Sequence, residues 1–330
     1  MGESGRRIAL IRSMNAVPVI TLCAAPDWMK GGQPGETDWS QIEVALLPGH
    51  YHDFAELAKL VAQRYPDVKH YQVWNEMKGF WSREANNWDY VNYTRMYNMV
   101  YDALKSVSAD IKIGGPYLVI EGTGSGRGGW ASEAPIRKRQ WEVIDYWLRN
   151  KHGADFIVLD RGIKDYHDRN TYTMEELIEL TNYFGDIVRQ IRSRTDLPVW
   201  WAEYYAHGDS PEAVAAIHAC VLNHMILSSS SVALLWQPMK VGKLNHALFS
   251  DVRKPGGIEI YPYYHVFKTI HEHFKPGTQL YKATSLSSDV EVLASATKLL
   301  LINKRPESVK VLVNGKPVDL GCYEVLLLDS

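Results

Sequence analysis

Two apolar, β-prone runs each end in a glutamate: Tyr71-Gln72-Val73-Trp74-Asn75-Glu76 and Leu197-Pro198-Val199-Trp200-Trp201-Ala202-Glu203. One buried strand finishing in an acid is ordinary. Two such strands, with helix-like sequence between them, describe a pair of carboxylates that a parallel barrel could bring together. Glycosidic bond cleavage needs such a pair: one carboxyl to give a proton, the other to attack or to activate water. Retention of configuration sets the two roughly 5 to 5.5 Å apart and inversion roughly 6.5 to 9.5 Å, and the closer spacing is expected here. The proton donor of such a pair has to be held protonated by partial burial and by its neighbour's charge. The competing reading of Glu76 is a strand-end carboxylate neutralised by a nearby cation such as Lys78, and Asn75 could simply cap the turn after its strand.

The elements that must position these groups alternate along the chain. Strands are predicted over Val17 to Leu22, His70 to Trp74, Ile111 to Gly114, Phe156 to Leu159, Val199 to Trp201 and Val232 to Trp236. Between them lie amphipathic stretches over Tyr51 to Arg64, Tyr90 to Val107, Arg137 to Asn150, Met174 to Arg194 and Pro211 to Leu227. Ser210 as N-cap with Pro211 in the first turn marks the start of the last of these. A further helix, Pro262 to Phe274, closes this α/β region. From Gly277 the texture becomes short strands: Gln279 to Thr284, Val290 to Ala294, Leu299 to Asn303, Val309 to Val313 and Tyr323 to Leu328, with Asn314-Gly315 as a hairpin turn. The expected fold is a TIM-type (β/α) barrel domain over 1–275, with a small antiparallel, β-sandwich-like appendage over 276–330. Only six barrel strands are legible where a closed barrel needs eight, so the first two are expected to be missing.

Composition excludes several classes. A net charge of −2 gives no basic footprint for nucleic acid, and no apolar run nears the roughly 20 residues of a membrane span. Three widely separated cysteines, Cys23, Cys220 and Cys322, imply neither a disulfide framework nor a metal site. The N-terminus shows no export signal, so a soluble, cytoplasmic protein is the default expectation. With 11 tryptophans and 19 tyrosines against 7 phenylalanines, the aromatics favour rings with a polar handle, as sugar-binding clefts use.

The context of the two glutamates resembles glycoside hydrolases of clan A, most closely family 39. Val73-Trp74-Asn75-Glu76 is followed by Phe80-Trp81, Tyr90, Tyr97, Ala103-Leu104-Lys105 and Lys112-Ile113-Gly114-Gly115-Pro116. Val199 to Glu203 resembles the clan's nucleophile-bearing strand, and Pro18 to Leu22 with Pro26 and Trp28 its third strand and loop. The resemblance runs from about residue 8 to the C-terminus. It implies Glu76 as general acid and base, Asn75 as donor to the sugar 2-hydroxyl, and Glu203 as the nucleophile of a double displacement. Trp236, ending the eighth-strand candidate, is then an aromatic floor for the sugar. Trp28, Trp81 and Trp130 are further loop candidates, and Tyr204 and Tyr205 could bond the nucleophile or line the wall.

Three departures from the family pattern stand out. The absent first strands normally supply part of the sugar subsite, including a basic residue near the nucleophile. The histidine expected at the end of the sixth strand is replaced by Asp160, with Tyr166 and His167 following as possible substitutes. The β appendage lacks the N-terminal strand that often helps complete it. An open barrel flank leaves strand edges unpaired, so a homo-oligomer covering the edge beside the first strand is expected.

Other chemistry-bearing motifs read as decoys. Gly124-Ser125-Gly126-Arg127-Gly128-Gly129 fits the dinucleotide fingerprint in letters, but no helix is predicted to open on it. Histidines two apart at His50/His52 and His271/His273 point to different sides of a helix, and Asp160, Asp165 and Asp168 lack a calcium-loop spacing. No cofactor and no metal is expected. Two functions remain: a retaining glycosidase acting on β-linked glycosides or oligosaccharides, and a degenerate barrel that binds carbohydrate without cleaving it. Both glutamates together with Asn75 favour the first. An uronidase would need a Lys/Arg cluster that the sequence does not offer.

Overall fold

The computed structural model describes residues 3–120, 135–164, 171–242, 246–283 and 285–330. Trp130, Tyr166, His167 and the Gly124–Gly129 motif lie outside them. After helix α1 (Glu3–Ser13), the chain alternates β1 (Val19–Leu22), α2 (Tyr51–Arg64), β2 (His70–Val73), a small hairpin of β3 (Trp81–Ser82) and β4 (Asn87–Trp88), α3 (Tyr90–Val107) and β5 (Lys112–Val119). It continues through α4 (Lys138–Asn150), β6 (Phe156–Gly162), α5 (Met174–Glu179), α6 (Asn182–Arg192), β7 (Val199–Tyr205), α7 (Pro211–Leu227), β8 (Val232–Leu235) and α8 (Pro262–His273). The large strands form one six-stranded sheet in the order β1-β2-β5-β6-β7-β8, a parallel half-barrel in which β1 and β8 are the edges.

The chain forms two compact units: Met1–Ile120, Ile136–Asp160 and Asp196–Ala202 make the first, and Glu121–Pro135, Arg161–Thr195 and Glu203–Ser330 the second. Strands β6 and β7 contribute residues to both.

In the first unit, α3 exists because its buried positions fall on one face: Tyr93, Tyr97, Val100 and Leu104, all fully buried. Asp89 caps it by accepting from the Asn92 amide at 3.0 Å. Its tyrosines bond the neighbouring backbone, Tyr93 Oη donating to the Val73 carbonyl at the end of β2 at 2.8 Å and Tyr97 Oη to that of Gly153, in the connection before β6, at 2.9 Å. Helix α2 offers Ala55, Ala58 and Ala62 as a thin buried strip with Phe54. Under the bottom of the sheet, Asp155 accepts from Lys105 at 3.0 Å and Lys112 at 3.2 Å. Burial pushes its carboxyl up, but the Ile113 amide and the two ammonium groups outweigh that and hold it below its ordinary value.

In the second unit, α7 is apolar all round and buried along most of its length, as such a helix must be. Its predicted cap is present: Ser210 Oγ accepts from the Ala213 amide at 3.1 Å, with Pro211 in the first turn. The C-terminal strands β9 (Leu280–Tyr281), β10 (Val290–Ser295), β11 (Lys298–Asn303) and β14 (Val325–Asp329) form an antiparallel sheet ordered β14-β11-β10-β9. Strands β12 (Val309–Val313) and β13 (Lys316–Leu320) form a hairpin whose turn residues Asn314 and Gly315 both take positive φ, at 52° and 79°. Val290, Leu301 and Leu320 centre the core they share.

Three sequence readings need adjusting. The single helix expected over Met174 to Arg194 is two, because Leu180 and Thr181 switch to i→i+3 bonding and the Thr181 hydroxyl donates back to the Ile178 carbonyl at 2.5 Å. Strand β5 runs past Gly114 because a bulge between Gly115 and Leu118 absorbs Pro116, which cannot donate to a ladder. Strand β13 is not among the predicted strands, Pro317 marking it only as an edge partner.

Gly114 is fixed by packing. A Cβ there would lie 2.1 Å from the Phe156 ring, which stacks on Trp200 with centroids 3.9 Å apart and so cannot retreat. Gly114→Ala is expected to cost about 1–3 kcal/mol as an overpacked core, read as a lower urea midpoint with an unchanged m-value.

Candidate active site

Glu76 sits three residues beyond the end of β2, on a turn held in an uncommon shape. Trp74, Glu76 and Met77 have φ of 69°, 51° and 49°, the left-handed region that non-glycine residues populate at a cost of order 1–3 kcal/mol each. The surroundings enforce it: the Trp74 amide donates to the Leu22 carbonyl at 2.7 Å, Trp74 Nε1 to the Lys78 carbonyl at 2.8 Å, and the Lys78 amide to Asn75 at 3.0 Å. Gly79, with φ of 77°, lets the 43–45 segment press directly on the turn; a Cβ would fall 2.2 Å from the Ala45 nitrogen.

The carboxylate of Glu76 has defined partners. Lys78 Nζ lies 2.7 Å from Glu76 Oε2 and 2.8 Å from Glu43 Oε1, and Asn75 Nδ2 donates to Glu76 Oε2 at 3.3 Å. The Lys78 pairing is the one the competing sequence reading anticipates. Burial works against the Lys78 ammonium, but its hydrogen bonds to Glu43 and Glu76 outweigh burial and hold its pKa above the ordinary lysine value. Asp160, at the residue where the resemblance implies histidine, is 2 % exposed and brings a carboxylate oxygen within 4.8 Å of one on Glu76. Its backbone carbonyl accepts from the Ile120 amide at 2.8 Å, holding β6 beside the end of β5.

Two tryptophans of the first unit, both expected on loops, are already engaged, Trp28 within a short 3-10 helix and Trp81 in strand β3. Trp28 meets His50 edge-on at 5.1 Å. Trp81, 42 % exposed, meets Trp88 edge-on at 5.3 Å and carries the Arg139 guanidinium over its ring at 5.7 Å, which occupies a face a sugar would need.

Glu203 is the fifth residue of β7, which runs on to Tyr205 rather than stopping at Trp201. The extension is paired: the Ile163 amide donates to the Tyr205 carbonyl at 2.9 Å and the Trp236 amide to that of Tyr204 at 3.2 Å. Strand alternation separates the neighbours of Glu203. Tyr204 is fully buried and its hydroxyl meets that of Tyr263 at 2.7 Å, behind the strand. Tyr205 is half-buried and stacks on His246 at 5.6 Å; Gly162 makes room for its ring, which a Cβ would meet at 2.6 Å. Trp236 packs beside Tyr205 at 5.6 Å and over His246 at 5.9 Å.

Sequence reasoning missed the histidines of this aromatic group. His207 follows β7 and His246 lies in the loop after β8, their Nδ1 atoms 3.3 Å apart. Burial, then the neighbouring His207, pushes His246 down to about 4, so its imidazole is neutral near pH 7. The signal available was the ring-rich ending Tyr204-Tyr205-Ala206-His207; nothing local marks His246.

No family model matches the chain, and no curated protein matches it in sequence. Solved structures do. CelM2, a bifunctional glucanase-xylanase from a metagenome library, is 13% identical with a TM-score of 0.59, the match covering 99% of this chain and 83% of that one. A GH30 endoxylanase from Clostridium papyrosolvens C71 is 12% identical with a TM-score of 0.54, covering 96% and 80%. A monomeric beta-xylosidase from Caulobacter crescentus CB15 is 14% identical with a TM-score of 0.49; the match covers 85% of this chain, which spans 55% of that enzyme's length. At these identities the likeness is one of fold: this chain has the barrel fold of glycoside hydrolases such as CelM2 and the endoxylanase.

The neutral His246 sets a pH dependence. Its folded pKa lies below the unfolded value near 6.5, so its contribution to stability is complete above about pH 6.5 and is lost as pH falls toward 4. His246→Phe is expected to flatten this part of the stability curve, by at most about 3 kcal/mol between those limits. Urea midpoints of both proteins across the window test it, parallel curves being the contrary result.

Proposed function

We propose that the protein is a retaining glycoside hydrolase that cleaves β-linked glycosides or oligosaccharides by double displacement. The observation that carries the reading is the placement of carboxylates at the C-terminal ends of β2 and β7, in a sheet whose fold is that of glycosidases. Glu203 is the nucleophile: its carboxylate attacks the anomeric carbon and forms a glycosyl-enzyme ester. Glu76 gives its proton to the departing oxygen, then takes one from the water that hydrolyses the ester. Asn75, beside Glu76, donates to the sugar 2-hydroxyl, and Trp236 with Tyr205 offers the sugar an apolar face. For Glu76 to deliver a proton, Lys78 has to leave it when substrate arrives. The alternative, carbohydrate binding without cleavage, draws on that same Lys78 contact.

Incubation with slow 2-fluoro glycosides followed by mass spectrometry is expected to yield a covalent adduct on the peptide containing Glu203. Glu76→Ala is expected to lower turnover by roughly 10²–10⁴-fold, the range of general acid–base contributions. Hydrolysis by Glu203→Ala at the wild-type rate would refute the assignment. Oligosaccharide binding without any turnover would favour the alternative.

The open sheet bears on assembly. Among the described residues strand β1 has one neighbour, and the chain leading into it exposes Leu10, Met14 and Val17 at 59%, 61% and 69%. Unpaired edges and apolar surface call for cover, and a homo-oligomer is expected. Light scattering checks this, a monodisperse monomer counting against it.

A further inference from the structure

The segment between β1 and α2 carries polar chemistry that the catalytic reading does not use. It leaves the C-terminal end of β1, on the same side of the parallel sheet as the turn bearing Glu76. Within it is a cavity of about 330 Å³ whose walls include Asp27, Lys30, Gln33, Glu36, Asp38 and Gln41. That volume is at the lower end of small-molecule sites, roughly 300–1,000 Å³. The carboxylates of Glu36 and Asp38 and the amides of Gln33 and Gln41 around this small space are acceptors and donors of the kind ring hydroxyls require.

Trp39 lies between two residues of this polar segment and is 74% exposed, while Ile42 and Val44 are exposed at 38% and 40%. An indole in water at the tip of a floppy loop would mean little, but this loop is stiff. The Asp27–Lys30 ion pair at 3.0 Å is nearly buried, its side chains 11% and 4% exposed respectively. Lys30 Nζ also donates to the Gln41 carbonyl at 2.7 Å, and Asp27 accepts from the Asp38 amide. Asp38 in turn caps the short helix Trp39–Gln41 through the Ser40 amide at 2.9 Å. The base is closed by the Leu47 amide on the Met29 carbonyl at 2.8 Å, with Met29 and Leu46 buried. Glu43, three residues after Ser40, reaches Lys78 at 2.8 Å, and Lys78 reaches Glu76 at 2.7 Å. An exposed aromatic that follows the cavity-lining Asp38 in a hydrogen-bonded segment, with that segment joined through Glu43 and Lys78 to the candidate acid, has the composition of a binding subsite.

We propose that this segment is a second carbohydrate-binding subsite, in which Trp39 stacks on a sugar ring and the cavity binds hydroxyl groups of the same chain. This rests on the glycosidase reading and extends it: the substrate is an oligosaccharide or polysaccharide long enough to reach beyond the sugars at Glu76, and not only a small glycoside.

Xylohexaose and cellohexaose are titrated calorimetrically into Glu203→Gln protein with and without Trp39→Ala, using the full chain. Trp39→Ala is expected to weaken binding of at least one hexasaccharide roughly tenfold, the effect of losing about 1.4 kcal/mol of stacking. Trp39→Tyr is expected to restore most of it, and Gln33→Ala, on the cavity wall, to weaken it independently. In otherwise wild-type protein, kcat/KM for 4-nitrophenyl β-xyloside is expected to stay unchanged in all three. Unchanged hexasaccharide affinity in both Trp39→Ala and Gln33→Ala, or no hexasaccharide binding at all, overturns the proposal. If Trp39→Ala loses binding while Glu203→Ala still hydrolyses, the subsite stands and the catalytic assignment falls. If the aryl glycoside is cleaved through Glu203 but hexasaccharide affinity ignores both Trp39 and Gln33, the reverse holds.

Discussion

Everything at the candidate site depends on how the backbone leaves β2. The ladder ends at Val73, whose carbonyl is held by Tyr93, and within four residues three non-glycine side chains adopt left-handed backbone. Such a turn is costly in isolation. Here it persists because the Trp74 indole bonds back to Lys78 and lies buried, edge-on to both Phe54 and Phe80. The same burial that stabilises the β2–α2–α3 packing therefore fixes where the Glu76 carboxylate stands. A looser turn would let Glu76 rotate into solvent, and the acid would lose its defined partners.

The sequence was most legible where a single local rule governs. Six sheet strands, the α2 and α3 boundaries, the Ser210–Pro211 helix start and the Asn314-Gly315 turn follow from period, caps and turn chemistry. It was least legible where long-range packing overrides a local signal. Gly115-Pro116 reads as a stop, yet a bulge carries β5 through it. Leu180-Thr181 reads as helix interior, yet a hydroxyl back-bond splits it. Of the candidate residues, Glu76, Glu203 and Trp236 could be located from the sequence because each stands near the C-terminal end of a strand run. His246 was invisible: its role comes from burial against Tyr205, Trp236 and His207, none of them near it in sequence. Trp39 was passed over for a similar reason, since only the buried Asp27–Lys30 pair distinguishes a presented indole from a loose one.

The Lys78–Glu76 pair decides how the two readings of Glu76 relate. A fully buried ion pair would be costly to break, because one charge would be left uncompensated in low dielectric. This one is not fully buried: the Lys78 side chain is 39% exposed and that of Glu76 19%. Pairs with access to water contribute about 0–1 kcal/mol, so parting this partly exposed one costs far less than parting a fully buried pair. Lys78 also has a second carboxylate, Glu43, 2.8 Å away, so on leaving Glu76 its ammonium keeps a partner. Neutralisation by Lys78 is thus a contact of the turn as it stands, and the proposed mechanism requires that contact to part when substrate arrives.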